Sequence, residues 1–276
     1  AVDFGKKTVL IEKDKVGGAG LYNGALSSKT MWELSQKLRT INEGIMSEQA
    51  SHLSEEEKIQ IVEYIVRQDR KDFPEEAELN YCSPSKMNFN LIESPEPYGW
   101  GYNTSRFIPK KSGGIDSKNI KNLKLKWAFG FPYSQRARSQ PLFAMGSIFV
   151  GSQSGDIYAL DVETGCVKWN FSASGEVRTG IIMDQWKNGK EPNKRPYIYF
   201  GDILANEYAL DAQTGELIWK IKSDDHPNAT RTATSAKFED ILFIPISGLE
   251  VIPAFDDAYE CCTFRGGLLA VEARTG

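Results

Sequence analysis

Two adjacent cysteines, Cys261 and Cys262, are the most unusual chemical feature of the sequence. Neighbouring side chains in a strand point to opposite faces, so a reduced pair would place one thiol inside and one outside. A disulfide between them would close an eight-membered ring and strain the intervening peptide, as is often seen near functional sites. The residues alone leave both states open. Arg265 follows the pair, and Ser247 and Glu250 precede it on the same segment, where they could face the same central cavity.

Other metal-binding side chains are few. The sequence has 4 cysteines and 2 histidines, and no CxxC or CxxCH spacing, so neither zinc nor covalently attached haem is indicated directly. His52 and His226 are too few for a multi-histidine metal site. Cys82 and Cys166 are either joined by a disulfide or both free, because sequence spacing does not decide between the two.

The composition argues against two classes of partner. Lys and Arg number 33 and Asp and Glu number 37, which gives a net charge of −4. A nucleic-acid-binding protein normally needs a basic face, so we expect no nucleic-acid partner. No apolar run approaches the roughly 18–20 residues that cross a bilayer, so we expect no membrane span. The N-terminal segment AVDFGKKTVLIEKDK is too charged for a signal peptide.

The elements that must position these residues fall into three regions. Residues 1–71 are predicted to be helical: Ser54 and Glu57 form a capping box, and an apolar stripe at helical spacing follows it. Prolines interrupt residues 72–119, which predicts a linker or an irregular strap laid over another domain. Residues 120–276 contain short alternating apolar runs between Gly-containing turns, which predicts antiparallel β-structure.

A repeat within the third region predicts its architecture. The pattern A-x-D-x-x-T-G-x-x-x-W begins at Ala159 and again at Ala209, and a third copy with Glu in place of Asp begins at Ala270. A period of roughly 40–50 residues with four strands each is typical of propeller blades. We expect Asp and Thr-Gly to close a tight turn and Trp to lie flat between neighbouring blades. The prediction is a mainly β chain with about three four-stranded blades.

This repeat resembles that of pyrroloquinoline-quinone (PQQ) dehydrogenases. Several stretches look like the polyvinyl-alcohol-dehydrogenase branch of that family: GWGYNTSRF (99–107), LKLKWAFGFP (123–132), VRTGI (177–181), DDHPNATRTATSA (224–236) and AYECCTFRG (258–266). Residues 41–65 resemble the last third of a class I cytochrome c. Propellers of this family are eight-bladed and need roughly 400 residues at about 50 per blade. The resemblance therefore implies a fragment, with the end of a cytochrome c domain followed by the first blades.

The resemblance also implies residue roles. In this family a disulfide between adjacent cysteines packs against the plane of PQQ, which assigns that role to Cys261 and Cys262. Arg265 would donate to the anionic oxygens of the quinone, a task suited to a planar guanidinium, or else form a surface ion pair. Ser247 and Glu250 are further candidates for contact with the cofactor. Two arginines that precede threonine, at positions 178 and 231, either line the same funnel or cap strands.

The implied reaction is hydride transfer from a secondary alcohol, small or polymeric, to the C5 carbonyl of PQQ. Ca²⁺ would polarise that carbonyl and an Asp would act as general base. Neither the calcium ligands nor the base can be placed in this sequence, and they are expected in later blades, so the chain alone is expected to be inactive. Electrons would leave through haem c, with Met46 as axial ligand if a CxxCH lies upstream, or to another cytochrome. A bacterial periplasmic or secreted location follows from the same resemblance.

One alternative function remains open at the level of sequence. The same repeat builds cofactor-free propellers that act as binding or assembly scaffolds. Such a scaffold does not need Cys261 and Cys262, so replacing the pair should be silent in it. A protein that only transfers electrons would need a haem, which the absence of CxxCH disfavours.

Overall fold

The computed structural model describes residues 54, 56, 79–95, 107–108, 110–134, 136–187, 189–251, 254 and 258–276. The chain divides into two compact units, Ala1–Glu75 and Glu76–Gly276. Apart from positions 54 and 56, the helical segment predicted for residues 1–71 lies outside the described residues, and so does Met46. Among the residues that are described, no helix has the length and apolar character to cross a membrane.

Within its described residues, the second unit contains three four-stranded antiparallel sheets. The first sheet contains β1 (Leu142–Ala144), β2 (Ser147–Gly151), β3 (Asp156–Asp161) and β4 (Val167–Ser172). The second contains β5 (Ile182–Met183), β6 (Tyr197–Gly201), β7 (Asn206–Asp211) and β8 (Leu217–Lys222). The third contains β9 (Ala229–Thr230), β10 (Ala236–Phe238), β11 (Ile241–Gly248) and β12 (Gly267–Glu272). A short helix, α1 (Lys110–Gly113), precedes them, and 3₁₀ turns occupy Pro84–Lys86 and Ile120–Asn122. The predicted partial propeller of about three blades is confirmed.

The sequence repeat reappears as a repeated register. In the first blade Ala159 pairs with Trp169, and a bulge follows Ala159. In the second blade Ala209 pairs with Trp219, and a bulge follows Ala209. The predicted turn is confirmed as well, because Asp211 Oδ1 accepts hydrogen bonds from the backbone N–H groups two and three residues later.

The tryptophan of each repeat joins one blade to the next. Trp169 donates its indole N–H to the carbonyl of Ala212 at 3.1 Å, and Trp219 donates to that of Ala273 at 3.0 Å. Each ring also lies against the glycine of the next Thr-Gly turn. Trp127 makes the same contact with the first blade, donating to the carbonyl of Val162 at 2.9 Å. Every described blade is therefore held by an indole from the segment that precedes it.

Residues 79–95 run over the first two blades, and their regular structure is limited to the 3₁₀ turn at Pro84–Lys86. Cys82 forms a disulfide with Cys166 at the start of β4, which settles the question that the sequence leaves open. The buried ammonium of Lys168 donates to the carbonyl of Asn88 at 2.6 Å. Trp186, in the β5–β6 connection, donates its indole N–H to the carbonyl of Leu91 at 2.9 Å. This segment thus spans from the outer edge of one blade to a connection of the next.

Candidate functional site

The adjacent cysteines lie at one end of the propeller blades. They belong to the connection between β11 and β12. Because the strands of each blade alternate in direction, this connection shares an end with the segments that lead from one blade to the next. Direct contacts confirm the arrangement: Ile203 donates to the carbonyl of Glu176 at 2.8 Å, and His226 contacts Thr263 at 2.9 Å.

Cys261 and Cys262 form a disulfide, as the family resemblance implies. The peptide bond between them is cis. Both residues are exposed to solvent. We call this pair the vicinal disulfide. It offers an accessible sulfur surface on the end of the blades where the connections between blades converge.

Arg265 lies next to the vicinal disulfide. Its Nη1 donates to the carbonyl of Cys262 at 2.5 Å, and the side chain is exposed. One donor of the guanidinium is therefore fixed to the loop, while the planar group as a whole faces solvent beside the two sulfurs. Such a group can recognise a carboxylate or another planar anion.

Glu250 is turned towards the loop that carries the vicinal disulfide. Only 8% of the residue is exposed. Its Oε1 accepts hydrogen bonds from Tyr259 Oη at 2.7 Å, from the backbone N–H and hydroxyl of Thr263 at 2.7 and 3.2 Å, and from the N–H of Phe264 at 3.1 Å. The bond from Tyr259, followed by the two backbone bonds, lowers the pKa of Glu250 to about 2. The carboxylate is therefore ionised at neutral pH.

Ser247 occupies the other end of the same segment. It pairs in register with Thr230 of β9, and its Oγ lies 3.3 Å from the hydroxyl of Thr232. The structure thus brings Glu250, Arg265 and the vicinal disulfide together in one loop and places Ser247 at its base. Contact of these residues with a cofactor stays a prediction.

A series of arginines at the same end of the blades was only partly recognised from the sequence. Arg138, Arg178 and Arg231 each precede a Ser or Thr where the chain enters a blade. The first two share one buried carboxylate, that of Glu176, at 3.4 and 2.7 Å. The third is buried against Glu207 at 2.9 Å. The Arg-Ser/Thr pattern at the entry to each blade is the signal that marks all three, although the same pair also occurs at Arg274-Thr275.

The three segments that carry these arginines adjoin one another. The N–H of Gly180 donates to Thr234 Oγ1 at 2.8 Å, and the N–H of Ile181 donates to the carbonyl of Gln140 at 3.3 Å. Burial, with the neighbouring charge of Arg178, lowers the pKa of Arg138. Two guanidinium groups share the carboxylate of Glu176, so its immediate surroundings carry an excess of positive charge, which favours an anionic ligand.

The described residues do not bring together three or more His, Cys, Asp or Glu side chains in an arrangement that could hold a metal ion. Calcium therefore stays an expectation drawn from the family resemblance. The ligands and the general base that accompany it in the family have no counterpart assigned to this chain.

Comparison with known proteins gives three results. Residues 96–220 match the family model described as the β-propeller domain of glucose/ethanol/alcohol dehydrogenases of the PQQ type. The chain is 36% identical over 188 residues to polyvinylalcohol dehydrogenase from Pseudomonas sp., covering 67% of this chain and 28% of that protein. It is 33% identical over 195 residues to the enzyme of the same name from Sphingopyxis sp. (strain 113P3), covering 71% and 29% respectively.

Among solved structures, a europium-containing methanol dehydrogenase aligns with a TM-score of 0.42 and 24% identity, covering 59% of this chain and 27% of that one. The chain thus spans less than a third of the length of these relatives.

Proposed function

We propose, from the premise that this chain belongs to the family of PQQ-dependent dehydrogenases, that it forms part of an alcohol dehydrogenase that oxidises a secondary alcohol with PQQ. The observation that carries the proposal is the vicinal disulfide. It is exposed at the end of the blades that also gathers Arg265, Arg138 and Arg178. A propeller that served only as a scaffold would have no use for this combination.

The described residues fit the chemical character of PQQ, which is planar and carries several carboxylates. The vicinal disulfide would lie against its plane, and Arg265 would donate to its anionic oxygens. The positive charge around Glu176 would attract its carboxylates. When bound, PQQ would accept a hydride from the alcohol carbon, so that the alcohol, which also loses its hydroxyl proton, becomes a ketone and the quinone becomes a quinol.

The relatives support a more specific substrate. Two of them are named polyvinylalcohol dehydrogenases, at 36% and 33% identity. We therefore propose a secondary alcohol of polymeric type as the preferred substrate. Electrons would pass to a haem c or to another cytochrome, with Met46 as the proposed axial ligand of an attached haem. Calcium would accompany PQQ, and the proposed location is the bacterial periplasm.

Turnover tests this proposal. The protein with its natural flanking regions, supplied with PQQ and Ca²⁺, should reduce an artificial electron acceptor when given a secondary alcohol. Replacing Cys261 and Cys262 by serine should abolish turnover, whereas the same change at Cys82 and Cys166 should preserve it. Absence of turnover on any secondary alcohol would overturn the proposal. Full activity of the first double variant would show that the vicinal disulfide has no part in the reaction.

A further inference from the structure

We propose that Glu250 is the residue that positions the vicinal disulfide, acting through its hydrogen bonds to the loop. The significance of this role for catalysis rests on the proposed function. The role itself is a property of the loop and can be measured without PQQ.

The residues that donate hydrogen bonds to Glu250 lie both before and after the vicinal disulfide in the sequence. Tyr259 lies two residues before the first cysteine, and Thr263 and Phe264 follow the second directly. All three donate to a single oxygen, Oε1, at 2.7–3.2 Å. A turn that is fixed at its two ends by one carboxylate cannot move its two sulfurs independently of that carboxylate.

Glu250 is itself held by the blade. It follows β11, and the N–H of the preceding Leu249 donates to the carbonyl of Asn228 at 2.7 Å. Nearby, Gly248 lies directly against Phe264, since a Cβ on this glycine would be 2.6 Å from Cδ1 of the ring. The strand therefore gives the carboxylate a fixed position from which to hold the loop.

A second contact joins the loop to the segment that enters the third blade. The Nδ1 atom of His226 accepts a hydrogen bond from the N–H of Asn228 at 3.1 Å. In the neutral imidazole the proton is then on Nε2, which donates to Thr263 Oγ1 at 2.9 Å. The Thr263 hydroxyl in turn donates to Glu250. Each group in this chain therefore donates to the next, from Asn228 through His226 and Thr263 to the carboxylate of Glu250.

The same loop also fixes Arg265. Its guanidinium donates to the carbonyl of Cys262, within the segment that Glu250 holds. Both groups that we propose to contact PQQ therefore depend on one buried acid. Replacing this acid by its neutral amide keeps the shape of the side chain but removes the charge that strengthens the four bonds.

The test is the reduction equilibrium of the vicinal disulfide in Glu250→Gln. Opening the disulfide requires the sulfurs to separate, and the bonds to Glu250 oppose that movement. We expect the amide variant to be reduced about tenfold more readily, the effect of replacing one charge-assisted bond by a neutral one. For this two-electron couple a tenfold change corresponds to about 30 mV. Equilibration with dithiothreitol, followed by thiol alkylation and mass spectrometry, reports both disulfides of the chain separately.

Two controls separate positioning from other effects. The disulfide between Cys82 and Cys166 is an internal standard whose equilibrium should not change. Glu260→Gln removes an exposed negative charge next to the vicinal disulfide and should leave its reduction equilibrium unchanged. If loss of negative charge alone shifted this equilibrium, Glu260→Gln would shift it at least as much as Glu250→Gln. An equal shift in Glu260→Gln, or no shift in Glu250→Gln, would overturn the proposal.

A milder variant covers the case in which Glu250→Gln loses its fold and both disulfides change together. Tyr259→Phe removes one donor to Oε1 and should shift the reduction equilibrium of the vicinal disulfide alone, by a smaller factor. An unchanged equilibrium in this variant would overturn the proposal.

Binding of PQQ is measured in parallel by fluorescence. If the wild type binds no PQQ while Glu250→Gln still shifts the disulfide, the proposed function fails and the positioning role stands.

Discussion

Replacing Gly215 with alanine should destabilise the protein by about 2–5 kcal/mol, because this glycine is constrained in two ways. Its φ angle is 73°, in a region that costs an L-residue about 1–2 kcal/mol. A Cβ atom would also lie 2.7 Å from Cε3 of Trp169, and such overpacking typically costs about 1–3 kcal/mol. The ring cannot withdraw freely, since its indole N–H donates to Ala212 at 3.1 Å, a bond whose net contribution is about 1 kcal/mol.

Gly189 provides the matched control. Its φ angle is 78°, but a Cβ there would meet nothing within 4 Å, so Gly189→Ala should cost only the backbone contribution of about 1–2 kcal/mol. Urea unfolding followed by tryptophan fluorescence measures both variants, and the midpoint at constant m-value gives the difference in free energy. Gly165→Ala, in contact with Trp127, should behave like Gly215→Ala. If Gly215→Ala costs no more than Gly189→Ala, the tryptophan contact does not join the blades as described.

Three further predictions concern individual contacts, two within the blades and one at the candidate site. Trp219→Phe leaves a buried carbonyl of the third blade without its 3.0 Å donor and should cost about 1–3 kcal/mol in the same unfolding assay; an unchanged midpoint would contradict this. The folded pKa of Glu250 is about 2, below its ordinary value. The stabilisation of the folded loop by the ionised carboxylate is therefore complete above the unfolded pKa of roughly 4.3 and is lost as the pH falls towards 2. Because protonation of the phosphine slows reduction of both proteins equally, the ratio of the wild-type rate to the Glu250→Gln rate should rise as the pH approaches 2; a rise centred near pH 4.5 would contradict the lowered pKa. Replacing Cys82 and Cys166 by alanine removes a disulfide that links residues 84 positions apart and should cost about 4 kcal/mol, without changing the alkylation pattern of the vicinal disulfide.

The propeller could be predicted from the sequence because its determinants are local. The repeat that begins at Ala159 and Ala209 encodes a strand, a tight turn and an interblade tryptophan within eleven residues. The structure reproduces the same register and bulge in both copies. Only the partners of Trp169 and Trp219 lie beyond this local pattern, 43 and 54 residues away, and the repeat predicts them by placing an equivalent turn in each following blade.

The candidate site was less accessible to sequence reasoning. The role of Glu250 depends on Thr263, which is 13 residues away in a loop without periodicity. The disulfide between Cys82 and Cys166 joins two segments whose proximity follows from the path of residues 79–95 over the first blade. No spacing rule encodes that path, because it results from single hydrogen bonds such as that from Lys168 to Asn88.

For the arginines, the sequence reveals the residues but not their ion-pair partners. Arg178 and Arg231 carry a visible Arg-Thr pattern, but their carboxylate partners are recognisable only in the fold. Glu176 belongs to the connection between the first two blades, and Glu207 is a buried residue of β7. Glu207, which directly precedes the run Tyr208–Leu210 in a fully buried strand, is the only one of these carboxylates whose strand position points to a buried ion pair.

Direct titration with PQQ tests the central claim most directly. Isothermal titration of the protein should give saturable binding at one site per chain. Binding should be lost when Cys261 and Cys262 are replaced by alanine and should persist in the variant that lacks Cys82 and Cys166. The absence of binding to the wild type, or equal binding to all three proteins, would contradict the assignment of the vicinal disulfide as part of a PQQ site.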